Sequence, residues 1–356
     1  MSNPKNILIV GTGTIGEPLT GLFSHYKDQL GIDDVIFHKH TPLLTDRSKV
    51  KNMIRRGAKM AAHADRVDKF KDIGIDASMT TEEALESASI VIDCTPMGNK
   101  MKEEVYSKYE DNTELFIAQG SEFGFGKQYA RGVNDSILNR DEDKYLQIVS
   151  CNTHNLSLII ETLGIGDEGP DNLVEGRFVC IRRSNDVSQD DNFLPSPEVG
   201  THKDAKFGTH HARDAWHLFS TLGYDLKLFS SALKLNTNFM HTLQFHLKVK
   251  KPVTQEELLE RCKENDRVAM THRHTANSIF SFGRDHGFYG RILNQTVIPY
   301  DGIHVSEDGT EITGFCFTPQ DGNSLLSSVS AAIWALYPDT YEKIVQCLQP
   351  YFFNEV

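Results

Sequence analysis

The chain has 356 residues, enough for about two domains of ordinary size. Apolar residues make up 39% and charged residues 24%, with 26 Gly and 12 Pro, which excludes collagen-like, low-complexity and wholly disordered chains. The 37 Lys and Arg stand against 49 Asp and Glu, and the net charge of −12 argues against a non-specific grip on nucleic acid or anionic membrane. No apolar run approaches the roughly 20 residues of a membrane-spanning helix, and the opening Met-Ser-Asn-Pro-Lys-Asn lacks the layout of an export signal. A soluble, cytoplasmic protein without nucleic-acid or membrane partners is expected.

In chain order, residues 6–10 read as a buried strand, 14–26 as a helix and 34–38 as a second strand. Thr80 precedes Glu83 by three, the capping-box spacing, so a helix is expected to about residue 88 and a strand over 89–94. Residues 115–118 and 146–149 supply two more apolar strands. Apolar strands alternating with helices imply a parallel sheet covered on both faces. Residues 1–150 are therefore expected to form an α/β, doubly wound Rossmann domain that binds a dinucleotide, completed by closing helices over 322–356.

The second half has another rhythm. Residues 176–181 and 239–249 read as longer strands of mixed polarity. In the latter, His241, Leu243, Phe245 and Leu247 share one face at period two, with Thr242, Gln244 and His246 on the other. Residues 303–305 and 312–315 read as strands joined by a turn at Glu307-Asp308-Gly309, and 324–336 as an amphipathic helix. A polar stretch over 184–209 has the length of a functional or disordered loop. Residues 151–321 are expected to be an α+β catalytic domain with a mixed or antiparallel sheet.

Three motifs carry chemistry. Gly11-Thr12-Gly13-Thr14-Ile15-Gly16 lies between a buried strand and a helix. There the first Gly permits a tight turn, the second lets backbone approach a pyrophosphate, and the third allows close packing. The acidic residue usual at the end of the second strand is missing. The chain there reads His38-Lys39-His40, and Lys39 suits a 2′-phosphate, so NADP is expected to be accepted, alone or alongside NAD. Cys151 follows an apolar strand and precedes an expected helix over 152–163, where amide dipoles favour thiolate. That placement alone leaves a nucleophile and a structural thiol both open. The six cysteines show no CxxC or zinc-like spacing, so free thiols and no metal centre are expected.

Taken with the Gly-rich loop, four runs follow in order. They are Ile90-Val91-Ile92-Asp93-Cys94-Thr95-Pro96-Met97-Gly98, Gln119-Gly120-Ser121-Glu122, Ser150-Cys151-Asn152-Thr153 and Thr209-His210-His211-Ala212-Arg213-Asp214. The chain resembles the archaeal-type (type II) phosphorylating glyceraldehyde-3-phosphate dehydrogenases over nearly its whole length. The resemblance implies that Cys151 attacks the aldehyde of glyceraldehyde 3-phosphate, that hydride leaves for NAD or NADP, and that inorganic phosphate releases 1,3-bisphosphoglycerate. It makes His241 the acid/base partner, although on its own this residue reads first as a core-facing histidine with a satisfied hydrogen bond. It places Asn152, Thr153, His210 and His211 at the sugar phosphate. Gly11, Gly13, Thr14, Ile15, Gly16, Lys39, Ser121, Gln320 and one of Arg182 and Arg183 fall at the cofactor. It also implies a homotetramer. Two departures stand out: His154 where a second Thr is common, read as an exposed side chain, and the long 184–209 segment.

Two rivals share the features. A semialdehyde dehydrogenase or acyl-phosphate reductase of the same architecture also uses a Cys nucleophile, but a carboxylate substrate calls for a bidentate Arg where this chain has His210-His211. A non-catalytic NAD(P)-binding redox sensor would use Cys151 as an oxidisable low-pKa thiol.

Overall fold

The computed structural model describes residues 4–120, 122–186, 189, 193–319 and 321–356. The chain divides into two compact units. The first runs to Lys127 and adds Leu138–Ile148 and Leu325–Gln349; the second comprises Gln128–Ile137, Val149–Ser324 and Pro350–Val356. Among the described residues no helix is long and apolar enough to cross a membrane.

The first sheet contains β1 (Asn6–Val10), β2 (Asp34–His38), β3 (Lys59–Ala62), β4 (Met79–Thr80), β5 (Ile90–Asp93), β6 (Leu115–Gln119), β7 (Lys127–Tyr129) and β8 (Tyr145–Ile148). Its order is β4-β3-β2-β1-β5-β6-β8-β7, and every pairing from β4 to β8 is parallel. This is the expected Rossmann-like sheet. All residues of β1 and β5 are buried because both faces are covered, which is why these strands carry no polar alternation. One side packs Leu8, Ile36, Val91 and Phe116 into a core with Tyr106, and the other gathers Phe37, Met60 and Phe70.

The expected capping box forms. Thr80 N donates to Glu83 Oε2 at 2.8 Å and Glu83 N to Thr80 Oγ1 at 3.2 Å, opening the helix Thr81–Ser87. The first helix is shorter than its apolar pattern suggests, Gly16–His25, because Thr14 and Ile15 belong to the turn that carries the Gly-rich loop.

The second sheet contains β9 (Leu173–Arg182), β10 (Glu198–Val199), β11 (Leu228–Lys234), β12 (His241–Val249), β13 (Val268–Thr271), β14 (Thr296–Pro299), β15 (Ile303–Val305) and β16 (Glu311–Thr318). Its order is β10-β11-β9-β12-β16-β14-β13, with β15 added to β16. It is mixed: β11–β9 and β13–β14 are parallel, whereas β9–β12 and β12–β16 are antiparallel. The period-two reading of β12 holds, with His241, Leu243, Phe245, Leu247 and Val249 all buried. Thr242 pairs with Ile181 and His241 with Thr318, so the end of β9, the start of β12 and the end of β16 lie at one edge of the sheet.

Two helices depart from their expected limits. The one expected over 152–163 is α-helical over Cys151–Ile159 and then widens to a π-type turn over Ile160–Ile165. The closing helix starts two residues early, at Gly322, where a Cβ would stand 1.7 Å from Ile292 O.

The Gly-rich loop yields a paired prediction. A Cβ on Gly16 would lie 2.0 Å from Gly11 O, whereas one on Gly13 meets nothing within 4 Å. Gly16→Ala is expected to lower unfolding free energy by about 1–3 kcal/mol, and Gly13→Ala to stay within about 0.5 kcal/mol of the parent in denaturant titration.

Candidate active site

The Gly-rich loop belongs to the first unit. Gly11 takes φ +97°, a left-handed conformation that glycine adopts freely, and its N–H donates to His38 O at 3.3 Å, closing the turn over the end of β2. Gly13 is exposed, and Thr14 and Ile15 are half-buried at the start of the helix. The open space over Gly13 fits close approach of a ligand backbone such as a pyrophosphate. Lys39 is not a free cation here: Asp46 takes its ammonium, with Lys49 Nζ 3.0 Å from the other carboxylate oxygen. Although burial works against ionisation, Lys39 and Lys49 hold the Asp46 carboxyl below its usual range. Ser121 and Gln320 lie outside the described residues.

The remaining groups belong to the second unit. Ser150 caps the helix Cys151–Ile159: extended at ψ 159°, its Oγ accepts from Thr153 N at 3.2 Å and lies 2.9 Å from Thr153 Oγ1. Cys151 is thereby the first helical residue, and its carbonyl accepts from Asn323 Nδ2 at 3.0 Å. Thr153 is fully buried, its side chain turned to the cap.

The expected low-pKa thiol is not what the surroundings make. Part of Cys151 reaches solvent, but burial around the sulfur, then the Asp321 carboxylate, pushes the thiol up to about 12 against the pull of Arg183. A helix N-terminus contributes about 0.3–1 kcal/mol, less than the ~1.4 kcal/mol of a single pKa unit, so desolvation prevails. At neutral pH the resting thiol is protonated.

A chain of buried side chains runs from the sheet to the residue beside this thiol. The Cys316 thiol donates to Asn155 Oδ1 at 3.4 Å, Asn155 Nδ2 to Thr318 Oγ1 at 2.8 Å, and the Thr318 hydroxyl to Asn152 Oδ1 at 3.1 Å. Asn152 Nδ2 then faces His211 Nε2 at 3.3 Å. Because each amide oxygen accepts, each amide nitrogen must donate, and the pattern assigns His211 the tautomer with its proton on Nδ1. That Nδ1 is buried and has no partner among the described residues. Burial, with His210, Arg182 and His241 nearby, holds His211 well below the usual imidazole range, so it is neutral.

His241 is set the same way. Its Nδ1 accepts the backbone N–H of Arg183 at 3.0 Å, which assigns the proton of the neutral ring to Nε2. Burial and then Arg183 and Arg182 push its pKa well below the usual value. A neutral His241 in this setting is a hydrogen-bond donor through Nε2.

The two arginines separate. Arg183 is buried, with Nη2 2.8 Å from Asp186 Oδ1 and 3.5 Å from Asp321. Arg182 is exposed and carries no salt bridge among the described residues. It lines a cavity of about 360 Å³ with His210, His211, Lys203 and Arg213, and the Asp204 carboxylate also lies in its wall. Their cationic and hydrogen-bonding groups form a setting for a phosphate group.

His154, read as exposed, is fully buried: its Nδ1 lies 3.0 Å from Ser150 O, so the ring packs back along its own first turn. Asp321, Asn155, Thr318 and Asn323 were not singled out from the sequence. Only Asp321 carries a backbone sign, φ +57° for a non-glycine residue; the others are neutral polar residues that become informative only once burial shows that each must be bonded.

The chain is similar over 318 residues, 86% of each chain, to a glyceraldehyde-3-phosphate dehydrogenase of Methanocaldococcus jannaschii, at 26% identity. One of Methanobacterium bryantii is 28% identical over 75% of this chain and 74% of its own, and one of Sulfolobus acidocaldarius 26% over 73% of each. No family model matches the chain. These similarities support an oxidoreductase related to the glyceraldehyde-3-phosphate dehydrogenases.

Two measurements probe the site. Alkylation of Cys151, read as the difference between the parent and Cys151→Ser, is expected to rise about tenfold per pH unit above neutrality with no plateau near pH 7; Asp321→Asn, which removes a charge opposing thiolate, shifts that profile to lower pH. Thr318→Val strands Asn152 Oδ1 and Asn155 Nδ2, and denaturant titration is expected to show a loss of about 1–3 kcal/mol.

Proposed function

We propose that the chain is an archaeal-type, phosphorylating glyceraldehyde-3-phosphate dehydrogenase using NAD or NADP. The observation that carries this reading is the link from Cys151 to the arginine-lined cavity: Asn152, next to the thiol, bonds His211, which lines that cavity with Arg182 and His210. A nucleophile linked through Asn152 and His211 to a cavity with three cationic side chains and room for a sugar phosphate is what a phosphorylated aldehyde and inorganic phosphate require.

In this reading the Cys151 sulfur adds to the aldehyde carbon while its proton passes to the carbonyl oxygen. Thiohemiacetal formation therefore needs no standing thiolate, and the raised thiol pKa does not oppose it. The Nε2–H of His241 stabilises the oxygen as charge develops on it. When bound, a nicotinamide cofactor supplies the hydride acceptor that turns the thiohemiacetal into a thioester. The hydroxyl proton is released in that oxidation. For His241 to take it at Nε2, the ring proton must first sit on Nδ1 instead, which requires Nδ1 to give up the Arg183 N–H. Phosphate held near Arg182 and His210 then attacks the thioester carbonyl, the C–S bond breaks, and the departing sulfur takes up a proton to restore the Cys151 thiol.

The open loop over Gly13 and the dipole of the helix Gly16–His25 suit the pyrophosphate of the cofactor. Asp46 on Lys39 weakens the case for a 2′-phosphate preference, so both cofactors are proposed. The protonated thiol also argues against the sensor, since thiolates are the readily oxidised form.

The reading is tested by following reduced nicotinamide with glyceraldehyde 3-phosphate, inorganic phosphate and either cofactor. Phosphate-dependent turnover is expected, lost by roughly 10³-fold or more in Cys151→Ser and by about 10²–10³-fold in kcat in His241→Gln. Arg182→Ala should raise the KM for phosphate more than it lowers kcat. Turnover without phosphate, or none in a protein shown to be folded, would reject the phosphorylating reaction.

A further inference from the structure

We propose that His38, His40 and His63 form a binding site for one divalent transition-metal cation of the zinc class, at the carboxyl ends of β2 and β3. It concerns the first unit alone and does not rest on the reading above.

The site follows from strand pairing. His38 is the last residue of β2, and His63 directly follows the last residue of β3. The two strands are parallel, with His38 in register with Ala61, so both chains leave the sheet at the same end and His40 and His63 emerge side by side. The ring centroids of His38 and His63 are 5.1 Å apart, those of His40 and His63 5.3 Å, and those of His38 and His40 6.3 Å. One ring nitrogen from each residue lies within 4.8 Å of the others. In a tetrahedral zinc site such nitrogens stand roughly 3.3 Å apart. His40 is exposed and His63 half-buried, so rotation of these two rings closes the difference while buried His38 stays fixed.

A second observation points to a ligand. His38 is 7% exposed, and its Nε2 has no hydrogen-bond partner among the described residues. A buried imidazole nitrogen left without a partner is unfavourable, and a bound cation would satisfy it. His38 and His63 also reach a cavity of about 30 Å³, but its walls are mostly apolar and His40 is not among them, so the cavity is packing space and not part of the cation site.

The donor set decides the class of ion. Three imidazoles with no carboxylate or thiolate suit zinc, cobalt, nickel or copper rather than magnesium or calcium, and leave a fourth position for water. The surrounding charge is mixed. Arg66 Nη1 is held by His40 O at 3.1 Å and Lys39 by Asp46, with Asp65 close to His40. The competing explanation is simple ring packing, since His63 meets His38 and His40 edge-to-face, at 80° and 89°.

The test uses the untagged full chain stripped with a chelator. Zinc is titrated against a chromophoric chelator, and cobalt is followed by its visible absorption. One zinc per chain and the intense bands of four-coordinate cobalt are expected. His40→Ala and His63→Ala should each weaken zinc binding about 100-fold or more and abolish the cobalt bands, while exposed His304→Ala changes neither. Circular dichroism confirms that the variants are folded, as expected for side chains outside the core. The proposal is overturned if the parent fails to bind zinc, or if His40→Ala and His63→Ala bind it as tightly as the parent; either result leaves ring packing as the whole account.

Discussion

The antiparallel pairing of β12 with β9 on one side and β16 on the other is the constraint on which the second unit depends. It brings the last residues of β9 and β16 and the first residue of β12 to one edge, collecting Arg182, Arg183, His241 and Thr318 from distant parts of the chain. Because strand side chains alternate, a slip of one residue would turn His241 out of the core and carry Thr318 away from Asn152. The register is held by the inward set Leu243, Phe245 and Leu247, all fully buried. Apolar packing along the strand thus sets the polar chemistry at its end.

Around that edge, hydrogen-bond direction rather than charge organises the site. From Cys316 through Asn155 and Thr318 to Asn152, each donor has one acceptor, and the tautomer of His211 is the end of that sequence. The Arg183 backbone fixes His241 independently. Every link from Cys316 to Asn152 is made, and only the buried His211 Nδ1 at the end lacks a partner among the described residues, so the made bonds hold these side chains in place without flexible ion pairs. The two arginines divide the labour: Arg183 is used up by Asp186 and Asp321 inside, and Arg182 faces the cavity. The same dense surroundings favour the protonated form of the Cys151 thiol.

The first unit shows the opposite economy. Its parallel strands are apolar throughout, and what chemistry it has lies where the chain leaves their carboxyl ends. The Gly-rich turn is tied to the end of β2 by the Gly11 N–H, and the three histidines gather at that strand and the next. Lys39, between two of them, is neutralised by Asp46 from the following segment.

Most of the first sheet was legible in the chain because burial on both faces leaves unbroken apolar runs, and the capping box at Thr80 is a local signal that needs no tertiary partner. The Gly-rich loop, the alternation in β12, Cys151 at a helix start and the paired histidines were equally local. What they do to one another was not. Cys151 has a favourable position by sequence, but burial and Asp321 outweigh the helix terminus, and His154 turns inward because its ring reaches the Ser150 carbonyl. Which arginine faces the cavity depends on the register at the end of β9, since neighbouring residues there point to opposite sides. Asn155, Thr318 and Asn323 carry no mark at all until packing removes their water. The sequence by itself determined most of the elements and the Gly-rich loop, because propensity, period and turn chemistry act over a few residues. Only the tertiary structure decided protonation, tautomer and the meeting of His38, His40 and His63, because those depend on desolvation and on neighbours brought together by strand pairing.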